Sequence, residues 1–507
     1  MSTTIAGTDP RTATALAPVA EATTTEQVDR LAAGAAAAAP ELHQRGREFR
    51  AGLLDAIADA VEARRTDLIA IASQETGFAD TKLGAELTRT VFQFNFFADI
   101  LRDGGYLEAT IDHAGDTPMG PRPDLRRILV PTGPVAVFGA SNFPFAFSVL
   151  GGDTASAIAA GSPVIVKAHD SHPATSALSF QILREAAQAV GAPTATFGIV
   201  YGIRGGVDLV AHPSIKAVGF TGSLSGGKAL IDVINGRDEP IPFYGELSSI
   251  NPVIVTADAA TERAEDIASG LVASITAGSG QMCTKPGLVL VPTGSDGDRL
   301  VAAARAGVAD VAPQVLLNER IYRTYGNDTA ALGTEAVIAN STTGRSGEQG
   351  FTVSSKLFET TVSDLTRGLI SEIFGPVTVI VRYDAAHTAD SLTRALDTLE
   401  PALTATLHIG SGEQDLVGEL VTIVEGRAGR IIFNGFPTGV AVSWAQTHGG
   451  PWPATNSIHT SVGATAIRRF LRPITYQDAP ESILPPELRD NFGDIPRRID
   501  GALQTAR

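Results

Sequence analysis

Cysteine occurs once in this 507-residue chain, at position 283, within Gly278-Ser279-Gly280-Gln281-Met282-Cys283-Thr284-Lys285-Pro286. One thiol can form neither an intrachain disulfide nor a CxxC metal or redox pair. It is then an inert apolar side chain or a nucleophile, and free cysteines usually pack as the former. The setting argues for the nucleophile. Two glycines and polar neighbours let backbone and ligand approach closely, and a β-type run, Gly287 to Pro292, follows at once. Cys283 is the expected centre of the chemistry.

Two carboxylates could serve it. Glu246 lies in Tyr244-Gly245-Glu246-Leu247-Ser248-Ser249-Ile250-Asn251-Pro252, and Glu372 in Ser371-Glu372-Ile373-Phe374-Gly375-Pro376, each just ahead of an apolar run. Small, apolar surroundings desolvate a carboxylate and should raise its pKa toward that of a general base. Either could equally be a turn or capping residue.

The elements that must position these groups follow from periodicity. Short apolar runs, Val135 to Phe138, Val164 to Lys167, Thr196 to Val200 and Ile215 to Phe220, alternate with amphipathic stretches around Thr154 to Ala160, Thr175 to Val190 and Val207 to Ala211. That alternation predicts βαβ units in an α/β fold, with a parallel sheet covered by helices. Ligands bind such sheets at the carboxyl ends of the strands. Upstream, Phe49, Leu53, Ile57 and Val61, then Leu87, Val91, Phe94, Ala98 and Leu101, predict two helices that bury one face. The first thirty residues lack a period and predict an extended arm.

Polar residues close three of these strands. Gly139-Ala140-Ser141-Asn142-Phe143-Pro144 is an ordinary turn or presents the Asn142 amide as a donor. Lys167-Ala168-His169-Asp170 ends on a solvated lysine or on a ligand for ribose or phosphate. Phe220-Thr221-Gly222-Ser223 leads through Gly226-Gly227-Lys228 to a helix expected from Ala229, whose free amides suit a phosphate. Gly222 to Lys228 fits the GxxxxGK of a P-loop, but Ala229 stands where Ser or Thr must ligate magnesium. A P-loop-like nucleotide-binding protein is thus a remote reading. His169 and His172 are spaced HxxH without a completing ligand set, so no metal is expected.

Composition narrows the partners. With 44% hydrophobic residues and a formal net charge of -16, the chain reads as globular, with no nucleic-acid or membrane partner. It shows no secretory pattern and no long apolar run, so the expected location is cytoplasmic.

Asn142, Lys167, Gly222-Ser223, Glu246, Cys283 and Glu372-Ile373-Phe374-Gly375-Pro376 occur in the order and approximate spacing of the aldehyde dehydrogenase superfamily, which the chain resembles from about Glu75-Thr76-Gly77 to the tail. The resemblance implies NAD(P)-dependent oxidation of an aldehyde to a free carboxylic acid. It makes Cys283 the nucleophile, Glu246 the general base, and the Asn142 side chain with the Cys283 backbone amide the oxyanion hole. Such donors are typically worth about 3 kcal/mol each. Lys167 and Glu372 would hold the two riboses, Phe374 would pack near the nicotinamide and Gly222-Ser223 would face the pyrophosphate. Asp170 could accept from an adenosine 2′-hydroxyl, favouring NAD, and Arg204 could attract a 2′-phosphate, favouring NADP; the branch more often uses NADP.

The tail is more distinctive. Gly429 to Gly439, His448-Gly449-Gly450-Pro451-Trp452-Pro453-Ala454-Thr455 and Arg468-Arg469-Phe470-Leu471-Arg472-Pro473 look like the branch that contains α-ketoglutaric semialdehyde (2,5-dioxopentanoate) dehydrogenases and some long-chain aldehyde dehydrogenases; the first is the leading reading. A fatty or general aliphatic aldehyde is the alternative substrate, differing at an entrance near Phe436, Trp444 and Trp452. The resemblance further implies a Rossmann-like cofactor domain over 1–246, interrupted by a flap hairpin at about 114–130, a catalytic domain over 247–467 and an oligomerisation tail over 468–507. Exposed strand edges in the flap and tail predict a homodimer or homotetramer.

Overall fold

Five apolar runs form one all-parallel sheet, in the spatial order Phe243–Glu246, Ala217–Thr221, Val135–Phe138, Val164–Lys167, Phe197–Val200. Val135–Phe138 is buried along its whole length, as a parallel strand covered on both faces must be. The computed structural model describes residues 4–335, 337–338 and 340–506; the ends of the expected domains, 1–3 and 507, lie outside the described residues.

A second sheet has seven strands, ordered Asn340–Thr343, Lys356–Thr361, Val377–Tyr383, Leu288–Pro292, Pro252–Val255, Ala402–His408, Ala428–Phe433. Only the first of these runs antiparallel to its neighbour. The chain leaves the first sheet at Glu246 and enters the second at Pro252, so the Glu246 motif spans the junction. The Cys283 loop sits before the strand Leu288–Pro292.

The tail strand Leu471–Gln477 pairs antiparallel with Leu125–Pro131, forming a third sheet with Thr110–Asp112, Arg497–Ile499 and Ala502–Gln504. Beside it lies the short hairpin of Gly115–Thr117 and Gly120–Arg122.

Both periodic helices form. Gly46–Ala63 buries Leu53, Ile57 and Val61, and Asp80–Asp103 buries Leu87, Phe94, Ala98 and Leu101. Two expectations need correction. The N-terminal arm is a hairpin of Thr4–Asp9 and Thr14–Glu21, closed by a turn at Pro10 to Ala13 and tied down where Arg11 donates to the Ser73 carbonyl at 2.9 Å. A capping box of Thr24 and Gln27 then starts the helix Thr25–Gln44. The helix expected from Ala229 begins at Leu224, because the Ser223 hydroxyl caps it by accepting from Gly226 N. Gly226-Gly227-Lys228 is therefore helix rather than phosphate loop. Among the described residues no helix is long and apolar enough to cross a membrane.

Candidate active site

The cysteine loop is held by a buried asparagine and by glycine geometry. Asn251 Nδ2 donates to the carbonyls of Cys283 (2.8 Å) and Lys285 (3.1 Å), and its Oδ1 accepts from Ser249 Oγ at 2.7 Å. Gly280 has φ of 67°, and a Cβ there would stand 2.3 Å from the Gly375 carbonyl. The cysteine and Glu372 motifs thus pack backbone against backbone, which only glycine permits. Gly280→Ala should lose roughly 3 kcal/mol of stability, read as a lower denaturant midpoint with an unchanged slope. An unaltered midpoint would show that the two loops separate freely.

Glu246 ends the edge strand Phe243–Glu246, and its backbone is held on both sides. Gly222 N donates to its carbonyl at 3.0 Å, and an antiparallel bridge joins Glu246 to Thr455. The bridge brings in the segment from His448 to Ser461. His448 Nε2 lies 2.9 Å from Glu246 Oε1 and 3.6 Å from Cys283 Sγ. A carboxylate only accepts, so Nε2 carries the hydrogen. Ser461 Oγ donates to Glu246 Oε2 at 2.8 Å. Both Glu246 and His448 side chains are about 2% exposed or less.

These contacts overturn the expected direction of the Glu246 pKa. Burial alone pushes the carboxyl up, but His448, the Ser461 hydroxyl and the Cys283 thiol together hold it below its ordinary value. The Cys283 thiol is pushed well up, first by burial and then by the negative charges of Glu246 and Glu372, against a smaller pull from Arg89. Glu372 does follow expectation: burial raises its carboxyl, and the same burial lowers Lys285, whose ammonium donates to the Val377 carbonyl at 2.7 Å.

Seven of the ten expected site residues, Asn142, Gly222, Ser223, Glu246, Cys283, Glu372 and Phe374, line one cavity of about 300 Å³. Asn142 Nδ2 donates to the Gln281 carbonyl at 2.8 Å, placing the amide beside the cysteine loop. The N-terminus of Leu224–Asn235 opens on this cavity through Gly222, Ser223 and Ser225, where a phosphate-bearing cofactor fits. Lys167, Asp170 and Arg204 stand outside the lining. Lys167 donates to Asp170 at 2.8 Å, and Arg204, with its side chain 80% exposed, donates to Asp208 at 2.6 Å.

His169 lines the cavity, with its ring stacked 5.5 Å from that of His172. Burial holds both imidazoles below their ordinary pKa, His172 at about 4. The expected entrance aromatics do not converge. Trp444 packs edge-on to Phe96 at 5.8 Å and Phe436 packs on His408 at 4.9 Å, while Trp452 lines a separate cavity with Ile458. His448 and Ser461 were missed as functional groups. The only signal for His448 was its place in a glycine-rich tail motif.

The arrangement can deprotonate a thiol, direct a donor at a nearby oxyanion and activate water at a buried carboxylate. The aldehyde dehydrogenase family model matches residues 1–450. The chain is 45% identical to alpha-ketoglutaric semialdehyde dehydrogenase 2 of Azospirillum brasilense, over 89% of this chain and 87% of that protein. It is 41% identical to alpha-ketoglutaric semialdehyde dehydrogenase of Acinetobacter baylyi, over 95% and 92% respectively. Among solved structures, a mutant of aldehyde dehydrogenase C from Pseudomonas syringae, in complex with NAD+ and octanal, superposes with a TM-score of 0.79 at 23% identity, covering 94% of each chain. Proline utilization A of Bradyrhizobium japonicum matches with a TM-score of 0.76 at 24% identity over 90% of this chain and 45% of that one, so this chain spans about half its length.

Proposed function

We propose a substrate on the premise that this chain belongs to the aldehyde dehydrogenase family and is an NAD(P)-dependent enzyme acting on an aldehyde. That substrate is 2,5-dioxopentanoate (α-ketoglutaric semialdehyde), and the product is 2-oxoglutarate. Near-full-length similarity to two α-ketoglutaric semialdehyde dehydrogenases carries the reading. A preference for fatty aldehydes has only the octanal complex beside it, at an identity that speaks for the fold alone.

The proposed sequence of events starts at Cys283. Its thiol gives up a proton to solvent, and Nε2–H of His448, shared with Glu246 and 3.6 Å from the sulfur, stabilises the thiolate. The thiolate attacks the aldehyde carbon, forming a thiohemiacetal alkoxide. Asn142 Nδ2 carries two hydrogens, one committed to Gln281, so the other serves the alkoxide together with the Cys283 backbone amide. When bound, a nicotinamide would supply the acceptor for the hydride whose loss turns the thiohemiacetal into a thioester. Glu246 then takes a proton from the water that cleaves the thioester, with His448 and Ser461 fixing both carboxylate oxygens. Water, rather than a second thiol, releases the acid.

Gly222 and Ser223, at the helix start Leu224, would hold the pyrophosphate of the nicotinamide cofactor, and Glu372 and Phe374 its nicotinamide half. NADP is the proposed preference. The Asp170 carboxylate that would repel a 2′-phosphate already carries the Lys167 ammonium, while Arg204 projects into solvent with only Nε bonded. We divide the chain at Glu246/Leu247, as the change of sheet suggests, with the third sheet as an oligomerisation flap. Its edge strand Ala502–Gln504 exposes Leu503, in keeping with a homodimer or homotetramer.

Steady-state nicotinamide reduction tests the assignment. With 2,5-dioxopentanoate, kcat/KM should exceed that with decanal by at least about 100-fold, and NADP should outperform NAD. Equal or better turnover of decanal would defeat the substrate, and a clear NAD preference would defeat the cofactor choice.

A further inference from the structure

We propose that Arg89 is the anchor for the substrate's carboxylate, deepening and resting on the dioxopentanoate reading above. Arg89 lies on the helix Asp80–Asp103, whose apolar periodicity accounts for its buried face but not for a half-buried guanidinium. Among the described residues no carboxylate forms an ion pair with it, and Glu86 and Glu246 act on it only from a distance. The carboxylate one turn back, Glu86, accepts from Phe145 N (2.8 Å), Ala146 N (3.0 Å) and Lys82 Nζ (3.5 Å) instead. Arg89 Nε and Nη2 share a single acceptor, the Val440 carbonyl, at the long distances of 3.4 and 3.3 Å. Nη1 is buried with no hydrogen-bond partner. A desolvated guanidinium with an unused donor is costly unless something completes it.

Its position suits an anion of the substrate. The guanidinium carbon lies 4.9 Å from the centre of the Phe147 ring, and that ring lies 6.3 Å from the imidazole of His448, which touches both Glu246 and Cys283. One aromatic ring and one imidazole thus separate Arg89 from the reacting sulfur. A five-carbon keto acid carries its carboxylate at the end opposite the aldehyde, and the planar arginine fork matches that group. Its weak bonds to Val440 are the ones a carboxylate would replace.

Arg430 is a rival that the geometry sets aside. Nη1 and Nη2 of Arg430 donate to the Gly439 and Pro437 carbonyls at 2.7 and 2.9 Å, leaving only Nε free. It holds the loop that carries Val440, and we assign it that structural role.

The test compares kcat/KM for 2,5-dioxopentanoate and for pentanal, a neutral aldehyde of the same length, in the wild type, Arg89→Met and Arg89→Lys. The wild type should favour the dioxoacid, and Arg89→Met should collapse that ratio by about 100-fold, chiefly through KM. Competitive inhibition by glutarate should weaken in parallel. Arg89→Lys, which keeps the charge and loses the fork, should lose about tenfold, and it decides the matter if the methionine variant does not fold. A wild-type preference that survives both substitutions overturns the role of Arg89 while leaving the substrate standing. A wild type without preference for the dioxoacid overturns the substrate, and the anchor with it.

Discussion

Cys283→Ala is expected to lower kcat/KM for aldehyde oxidation by at least about 10⁵-fold, the loss typical when a covalent nucleophile is removed. No other thiol exists in the chain to replace it. The neighbouring groups cannot substitute chemically. Glu246 is engaged through both oxygens, and the His448 nitrogen facing the sulfur carries its hydrogen toward Glu246. The exchange removes one sulfur whose nearest polar partner is 3.6 Å away, so the loop bonds from Asn251 remain. NADPH binding, followed by nicotinamide fluorescence, should therefore persist while turnover disappears. Residual activity within about 100-fold of wild type would sink the assignment of Cys283 as nucleophile.

Much of this site is legible in the sequence, for a local reason. Cys283, Glu246 and Glu372 each sit in a short glycine-flanked stretch before an apolar run, so their placement at strand ends follows from neighbours a few residues away. What escapes such a reading is set by pairings over long separations. His448 and Ser461 reach Glu246 across 202 and 215 positions, through the bridge between Glu246 and Thr455. The expected upward shift of the Glu246 carboxyl failed for that reason: desolvation can be read from apolar neighbours, but the groups that offset it lie in a distant segment. Arg89 was hidden differently. Its helix was recognised by its apolar face, and periodicity records where a side chain lies without recording that its donors go unanswered. The N-terminal hairpin is likewise illegible locally, since its alternation is weak and its hold on Ser73 is tertiary.

The separation of Glu246 from Cys283 in their two tasks gives a further prediction with a definite sign. In Glu246→Gln the base for thioester hydrolysis is lost, and steady-state turnover should fall by about 10³-fold. The thiol should respond in the opposite sense. Its pKa stands well above the ordinary value partly because the Glu246 charge disfavours a second negative charge beside it. Removing that charge lets the thiolate form at lower pH, so the pH profile of alkylation by iodoacetamide should move down and the rate at neutral pH should rise. A variant that turns over slowly yet alkylates faster, and still shows one rapid equivalent of NADPH in the first turnover, separates thioester hydrolysis from the earlier steps. If alkylation slows together with turnover, Glu246 acts chiefly by ionising the thiol, and its role in activating water must be given up.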